Sequence, residues 1–331
     1  MIRLKRLVPR ACSRFQPFFR IMINNPPVLL PPDLKFSEVE TFGVPTELWH
    51  RPKAVYDQIW SRYRGEGIKV AVLDTGCNPH DVLPEPVEGK SFIQGESWKD
   101  GNGHGTHCAG TVLGREGIGV APAASLLVGK VLSNRGSGSS EAIAQGIRWA
   151  VDAGAHIISL SLGSSSPYKP MQEALQYAWA KGVIVVAAAG NSGYTGRANT
   201  IGYPARYHSE CLAIGAYRKD GKRASFSSGG RELDVLSPGE DLISCSTNNG
   251  YTTMSGTSMA TPNFAGLCAL IQGIRLREGY AVFDGIEGVR DFLKLYTKDV
   301  GEPGFDPAHG HGIPQTSEII NALLNDQLVY V

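Results

Sequence analysis

Short apolar runs alternate with amphipathic stretches through the middle of this chain. The runs predict buried β-strands at residues 68–73, 126–131, 156–162 and 183–189. Apolar positions at helical spacing predict helices at residues 140–153 and 171–181, each followed by a glycine. Strands that alternate with helices favour a parallel sheet covered on both faces. The pattern therefore predicts an α/β fold with a mostly parallel central sheet flanked by helices.

The second half of the chain has shorter apolar runs separated by Gly and Ser turns. These runs predict strands at residues 211–217, 233–236, 242–246 and 251–254. The apolar segment 259–271 is typical of a buried helix. Amphipathic stretches at 289–295 and 317–324 predict helices on the outside of the sheet.

The N-terminal part differs from the rest because prolines interrupt it. Residues 1–42 contain six prolines, which prevent a long helix and predict an extended arm. Apolar side chains at 18–23 would prefer a groove to water. Helical spacing at 47–64 predicts the first helix of a domain that covers residues 43–331.

Composition describes a globular protein with a large core, since 42% of the residues are hydrophobic, 19% are charged and the net charge is +1. The balanced charge argues against nucleic-acid and membrane partners, and no apolar run is long enough for a membrane span. Six cysteines without a Cys-x-x-Cys pair are typical of free thiols in a reducing compartment. The basic N-terminus lacks the apolar region of a secretory signal. These features predict a cytoplasmic protein, with an organellar transit segment as the alternative.

Polar residues follow two of the predicted central strands. Asp74 comes directly after the strand at 68–73, and Asn191 follows the strand at 183–189. The carboxyl ends of parallel strands are where open α/β sheets collect functional groups, although about half of such residues are merely caps. Both residues are therefore candidates for chemistry.

A glycine-rich loop at 101–105 leads into a predicted helix that carries His104 and His107. Two histidines three residues apart without a third ligand are poor support for a zinc site. A base held at a helix start is the better interpretation of His104, and His107 is expected to be structural.

Residues 256–262 read Gly-Thr-Ser-Met-Ala-Thr-Pro and place Ser258 at the start of the buried helix. Free amide groups there favour a developing anion, as a serine nucleophile requires. Pro262 leaves the carbonyl of Ser258 without its usual helical partner. An ordinary helix cap is the alternative if no base lies nearby.

The order Asp74, His104, Ser258 is the subtilisin order of the serine triad. The blocks Val-Ala-Val-Leu-Asp-Thr-Gly, Asn-Gly-His-Gly-Thr-His-Cys-Ala-Gly, Ala-Ala-Ala-Gly-Asn and Gly-Thr-Ser-Met-Ala-Thr-Pro resemble the signatures of subtilisin-like (S8) serine peptidases. The resemblance covers about residues 66–275 and is nearest in character to the intracellular members. It implies a three-layer subtilisin-like fold over 43–331 and a serine endopeptidase that works through an acyl-enzyme.

The resemblance also implies a role for each residue. Ser258 would attack the scissile carbonyl, His104 would move the proton, and Asp74 would orient the imidazole. Asn191 and the amide of Ser258 would form the oxyanion hole.

Two cleft segments would hold the substrate as an added strand. They comprise Gly136, Ser137, Gly138, Ser161, Leu162 and Gly163. Ser192 and Gly202 match positions that line the P1 pocket, and their small size predicts a preference for large apolar P1 residues.

No cofactor is expected for this chemistry, and the resemblance leaves room for one structural calcium or sodium ion. The loop at 111–119 is too short for the strong calcium site of secreted relatives. Ala205, Tyr207 and Asp234 match a weaker cation site built mainly from carbonyl oxygens.

The arm resembles the short N-terminal extension of intracellular subtilisins and reads as a short propeptide of a zymogen. In those relatives a Leu-Ile-Pro-Tyr type segment lies across the active site, and Leu7-Val8-Pro9 is the only echo of it recognised in this sequence. The arm is therefore a candidate inhibitor. Besides a general endopeptidase acting on proteins or peptides, two alternatives stay open: a processing protease dedicated to one partner, and a non-catalytic binding protein, which would need a missing triad residue.

Overall fold

The structure is a computed structural model that describes residues 26–30, 35–41, 47–280 and 283–325. The helices in this part of the chain are α1 Lys53–Trp60, α2 His104–Leu113, α3 Ser140–Asp152, α4 Lys169–Ala180, α5 Thr257–Glu278, α6 Gly285–Leu295 and α7 Thr316–Leu324. The strands are β1 Pro27–Leu29, β2 Lys35–Thr41, β3 Lys69–Asp74, β4 Glu88–Ser91, β5 Ser125–Lys130, β6 Ser137–Ser139, β7 Ile157–Leu160, β8 Ile184–Ala188, β9 Leu212–Tyr217, β10 Leu233–Pro238, β11 Leu242–Cys245, β12 Tyr251–Ser255, β13 Thr297–Lys298 and β14 Ile313–Pro314.

A seven-stranded parallel sheet in the order β10-β9-β8-β7-β3-β5-β4 forms the centre of the fold. Strand β3 pairs with β5 on one side and with β7 on the other. Strand β3 therefore lies in the interior of the sheet, and β5 pairs with it as far as Asp74. The α/β fold class predicted from the apolar runs is confirmed.

Helices cover both faces of the sheet, as β3 shows. Val70 and Val72 point into a core that includes Cys108 of α2 and Phe264 of α5. Ala71 and Leu73 point to the opposite core, formed mainly with α3 and α4. Alternation of side chains along a strand accounts for this three-layer arrangement.

The largest differences from the predicted elements lie near the N-terminus. Helix α1 is shorter than the predicted 47–64, because residues 48–51 form a turn and Pro52 precedes the first helical residue. The short strands β4 and β6 were not predicted, since neither has an apolar run. Within the described part of the arm, β1 pairs with β6 and β2 pairs with β12.

None of the helices in the described ranges is long and apolar enough to cross a membrane.

Helix α2 approaches the end of β3 so closely that glycine is required at Gly105. A β-carbon there would lie 2.1 Å from the carbonyl oxygen of Gly76. We expect Gly105→Ala to push α2 away from β3 and to lower the free energy of unfolding by about 1–3 kcal/mol. Thermal unfolding of the purified variant measures this effect.

Gly288→Ala in α6 is the matched control, because a β-carbon there comes no closer than 3.5 Å to its neighbours. Alanine in this helix should be neutral or stabilising by about 0.5–1 kcal/mol. Equal melting temperatures for the two variants would contradict the close approach at Gly105.

Candidate active site

The end of β3 and the start of α2 bring Asp74 and His104 into contact. Nδ1 of His104 lies 2.7 Å from Oδ1 of Asp74, and the amide of Thr75 donates to the same oxygen. Both side chains are fully buried. Within the described chain, Nε2 of His104 has no hydrogen-bond partner. The contact with Asp74 therefore holds the imidazole and leaves its other nitrogen available.

Asp100 fixes the start of α2. Its carboxylate accepts from the amides of Gly103 and Thr106 and from both the Thr75 and Thr106 hydroxyls, at 2.7–2.9 Å. The Thr75 hydroxyl in turn accepts from the amide of Gly105 at 2.9 Å. Because Thr75 follows Asp74 directly, this network ties the strand that carries the acid to the helix that carries the imidazole.

The two histidines of α2 have opposite electrostatic environments. Burial by itself lowers the pKa of His104, but the Asp74 carboxylate more than offsets it and holds this pKa well above 6.5. Burial lowers the pKa of His107 to about 3, and its Nε2 lies 3.0 Å from the carbonyl oxygen of Leu242. His107 is thus a neutral side chain that joins α2 to β11.

Ser258 lies in the first turn of α5, fully buried. Its carbonyl oxygen accepts from the hydroxyl of Ser161 at 2.8 Å and from the thiol of Cys108 at 3.6 Å. These bonds replace the helical partner that Pro262 cannot supply. The Ser258 hydroxyl lies 3.4 Å from the carbonyl oxygen of Ser161. Sγ of Cys108 is 3.9 Å from Nδ1 of His104, so this thiol lies between the two candidate catalytic elements.

Asn191 is oriented by Thr257. Its Oδ1 accepts from both the amide and the hydroxyl of Thr257, each at 2.9 Å. Because both Thr257 groups are donors, the Asn191 atom that faces them is the oxygen and not the nitrogen of the side-chain amide. Nδ2 is buried and has no partner among the described residues. A buried N–H donor is therefore held beside the first turn of α5 and is free to bind an oxygen atom.

Part of the arm lies between the two cleft segments that the sequence identifies. Leu29 exchanges backbone hydrogen bonds with Gly163, and β1 runs antiparallel to β6 with Val28 opposite Gly138. The amide of Leu30 donates to the carbonyl of Gly136. Val28 is fully buried, whereas Leu29 is 53% exposed. The cleft therefore holds an extended chain, paired through its backbone on both sides.

The other cleft residues that the sequence predicts make contacts of their own. Leu162 is fully buried, whereas Ser192 is exposed and its amide donates to the hydroxyl of Ser228 at 3.1 Å. The amide of Gly202 donates to the carbonyl of Ala189 at the end of β8. Leu7-Val8-Pro9 lies outside the described residues.

The predicted weak cation site does not fit a metal ion. Arg290 donates to Asp234 and to the carbonyl of His208, each at 2.6 Å, and also to the carbonyl of Cys211. The other oxygen of Asp234 accepts from the amide of Ala213, and the carbonyl of Tyr207 accepts from Glu210. A guanidinium group therefore supplies the positive charge beside Asp234. The motif did not reveal this, because Arg290 lies 56 residues further along the chain.

Several supporting residues were not found from the sequence. Asp100 could have been identified from the sequence, because an acidic residue just before a predicted helix is a capping signal. Thr75 follows Asp74 and Thr257 precedes Ser258 in the sequence, but neither position indicates which side chain the threonine contacts. The position of 26–30 in the cleft was also missed, because a short apolar segment does not identify its partner strand.

Comparison with known proteins gives consistent matches. The subtilase family (peptidase S8) matches residues 65–312. Subtilisin DY of Bacillus licheniformis is 48% identical over 214 residues, which is 63% of this chain and 78% of that protein. Subtilisin Savinase of Lederbergia lenta is 48% identical, with 63% of this chain and 77% of that protein covered. M-protease of Shouchella clausii has the same identity, but the match spans 63% of this chain and only 54% of that protein.

These relatives overturn the predicted localisation. They are secreted subtilisins and alkaline proteases, which point to an extracellular rather than a cytoplasmic protein. The cytoplasmic prediction relied partly on free cysteines. All five cysteines in the described ranges are buried and unpaired. Packing shields such thiols in any compartment, so they do not report location.

The family match covers most of the chain, and close to half of the aligned residues are identical to those of known subtilisins. Proteins of this family cleave proteins or peptides without a cofactor, although calcium is commonly bound. The chain therefore belongs to the subtilase family and is a serine endopeptidase.

Proposed function

We propose that Asp74, His104 and Ser258 form the catalytic triad of this endopeptidase. The 2.7 Å contact between Asp74 and Nδ1 of His104 is the observation that carries the proposal. This contact fixes the tautomer in which Nε2 carries no proton, so Nε2 can take the proton from the Ser258 hydroxyl during attack. The protonated ring then gives the proton to the leaving amine, and Asp74 stabilises its positive charge.

Asn191 and the start of α5 supply the oxyanion hole in this proposal. Nδ2 of Asn191 and the amide of Ser258 donate to the oxygen of the tetrahedral intermediate. The first amides of a helix have no partner within the helix, which leaves the Ser258 amide suited to this task. Thr257 prevents rotation of Asn191 by occupying its oxygen.

The substrate lies in the cleft as an added strand between residues 136–138 and 161–163. The pairing of residues 27–30 with Gly136, Gly138 and Gly163 supports this proposal, because an extended backbone is hydrogen-bonded to both rims. Ser192 and Gly202 line the P1 pocket. Their small side chains leave room for large apolar P1 residues.

The arm inhibits the enzyme by occupying this cleft, which makes the full chain zymogen-like. Residues 26–30 supply the competing strand in this proposal, in place of Leu7-Val8-Pro9. The side chain of Val28 contributes apolar contact, since it is buried in the core cluster that includes Leu132 and Leu162. A substrate must displace this strand before it can bind.

Replacing the nucleophile tests the catalytic proposal. Ser258→Ala should lower kcat by about 10⁶-fold, because the hydroxyl that forms the acyl-enzyme is lost. Hydrolysis of matched peptides with P1 Phe, Leu, Lys or Asp should be measured for wild type and variant. Wild type should cut the Phe and Leu peptides fastest. Equal rates for wild type and Ser258→Ala would reject the triad, and faster cleavage after Lys or Asp would reject the pocket.

The pH dependence of kcat/KM should report His104. Only the neutral ring can accept a proton, so activity is lost as pH falls through the pKa of His104. Because Asp74 raises this pKa, the midpoint should lie above 6.5. Asp74→Asn removes the carboxylate that raises the pKa of His104 but leaves the burial that lowers it. The midpoint of the pH profile should therefore move to lower pH, and kcat should fall by about 10⁴-fold. Profiles from about pH 5 to pH 10 measure both effects; a wild-type midpoint below 6.5 would contradict the assignment.

Two arm variants separate inhibition from mere contact. Val28→Asp places a charge at a fully buried position, so it should release the arm and raise kcat/KM of the full chain by at least about tenfold. Leu29→Asp is the matched control, because that side chain is 53% exposed and should change activity little. Steady-state kinetics on one short peptide compares them. Unchanged activity in Val28→Asp would exclude inhibition by this strand.

A further inference from the structure

A second cavity lies outside the substrate cleft and has a volume of about 340 Å³. Its wall is formed by α1 and the turn before it, the ends of β9 and β10, the middle of α5, strands β13 and β14, and the first turn of α7. None of the residues assigned to the triad or to the cleft lines it. Its size lies in the range of about 300–1,000 Å³ that is typical of small-molecule sites.

Two buried polar side chains in this wall lack partners. His50 is 5% exposed and Asn263 is 6% exposed. Both ring nitrogens of His50, and Nδ2 of Asn263, have no hydrogen-bond partner within the described ranges. Native proteins rarely leave buried polar groups unsatisfied. Two such side chains in the wall of one cavity therefore indicate a polar occupant.

The hydrogen-bonding character of these two side chains differs. Oδ1 of Asn263 accepts from the hydroxyl of Ser237 at 3.2 Å, so Nδ2 is left as a donor. Burial and then the charge of Arg51 lower the pKa of His50 to about 3, so its ring is neutral. A neutral imidazole offers one donor and one acceptor. Together the two side chains can donate two hydrogen bonds and accept one.

The cavity has an excess of positive charge. Lys219 and Lys298 line it and are exposed. The carboxylate next to each lysine in the sequence is engaged elsewhere, because Asp220 pairs with Arg218 and Asp299 accepts from a backbone amide. No acidic side chain is among the described residues that line the cavity. The two ammonium groups therefore favour an anion here.

The start of α7 adds to this positive potential. Thr316 and Ser317 line the cavity, and no side chain caps the helix start. The amide of Ile319 bonds to the carbonyl of Gln315, which is the residue before the helix. The amides that precede Ile319 in the first turn have no partner within the helix, and the positive end of the helix dipole lies there.

The rest of the wall is rich in aromatic rings, which belong to Trp49, Tyr56, Tyr217 and Phe264. The rings of Trp49 and Tyr217 pack edge to face with their centroids 5.9 Å apart. Such a wall favours a flat or branched apolar group. A ligand that satisfies the whole cavity therefore combines an apolar body with a single anionic group.

We propose that this cavity binds a small carboxylic acid that carries an aromatic or branched apolar group. The carboxylate binds beside Lys219, Lys298 and the start of α7, and the apolar group packs against the rings. Peptide hydrolysis produces acids of this class, because water adds to the cleaved bond and leaves a carboxylate on the residue that preceded it. Cleaved peptides are thus one source of the ligand, and free apolar acids are the other.

Calorimetric titration of the full chain tests the class of ligand. The probe is phenylpropionate, and the matched neutral control is phenylpropionamide. We expect the acid to bind at least about tenfold more tightly than the amide, because the charge-assisted contacts are lost in the amide. The affinity of the acid should fall as salt is added. N-acetylphenylalanine distinguishes the two sources: tighter binding than phenylpropionate assigns cleaved peptides, and equal or weaker binding assigns free acids.

Variants of the wall test the location. The double variant Lys219→Gln, Lys298→Gln should weaken phenylpropionate binding by at least about tenfold. Lys181→Gln is the matched control, because this lysine is exposed at the end of α4 and does not line the cavity. It should change the affinity by less than about twofold. Asn263→Leu, which removes the Nδ2 donor at similar volume, should also weaken binding. Thermal unfolding checks that each variant is folded, and the exposed lysines keep the test decisive if Asn263→Leu does not fold.

Three outcomes would overturn the proposal. Equal affinity for phenylpropionate and phenylpropionamide would reject the carboxylate. An undiminished affinity in the double lysine variant, or an equal loss in Lys181→Gln, would place the binding outside this cavity. Lack of saturable binding up to about 10 mM phenylpropionate would reject the site itself. Each of these results leaves the proposed triad untouched, because the cavity shares no residue with it.

Discussion

The buried hydrogen bond between Asp74 and His104 constrains the rest of the structure. An acid at the end of a central strand and an imidazole at the start of a helix meet only if the two backbones come unusually close. Gly105 allows that approach because it has no side chain to meet the carbonyl of Gly76. Asp100 then satisfies the amides exposed at the helix start. The close packing of α2 on the sheet therefore sets the distance between Asp74 and His104.

Much of this arrangement could be predicted from the sequence, because the signals are local. Asp74, His104 and Ser258 each stand next to an apolar run or a glycine turn, and strand ends collect functional groups. The supporting contacts are long-range and could not be predicted in this way. Thr257 orients Asn191 from 66 residues away, and Arg290 reaches Asp234 from 56 residues away. Their side chains follow no period that would identify a partner.

The arm illustrates the same limit. Its prolines predicted an extended chain, and β1 and β2 are extended. Likeness to a known motif, however, favours Leu7-Val8-Pro9 and does not identify the segment at 26–30. Backbone pairing with Gly136 and Gly163 depends little on sequence, so many apolar segments would have satisfied it equally well. The burial of Val28 and the packing of Leu30 favour this register over its neighbours.

The ion pair of Arg290 and Asp234 has a consequence for the conditions that the enzyme can tolerate. A bound metal ion dissociates when chelators or dilution lower its free concentration, and its stabilisation is then lost. A guanidinium group is attached to the chain, so its local concentration is independent of the medium. This corner of the molecule, where α6 meets β10, therefore keeps its positive charge in media that would strip a metal ion from a carboxylate.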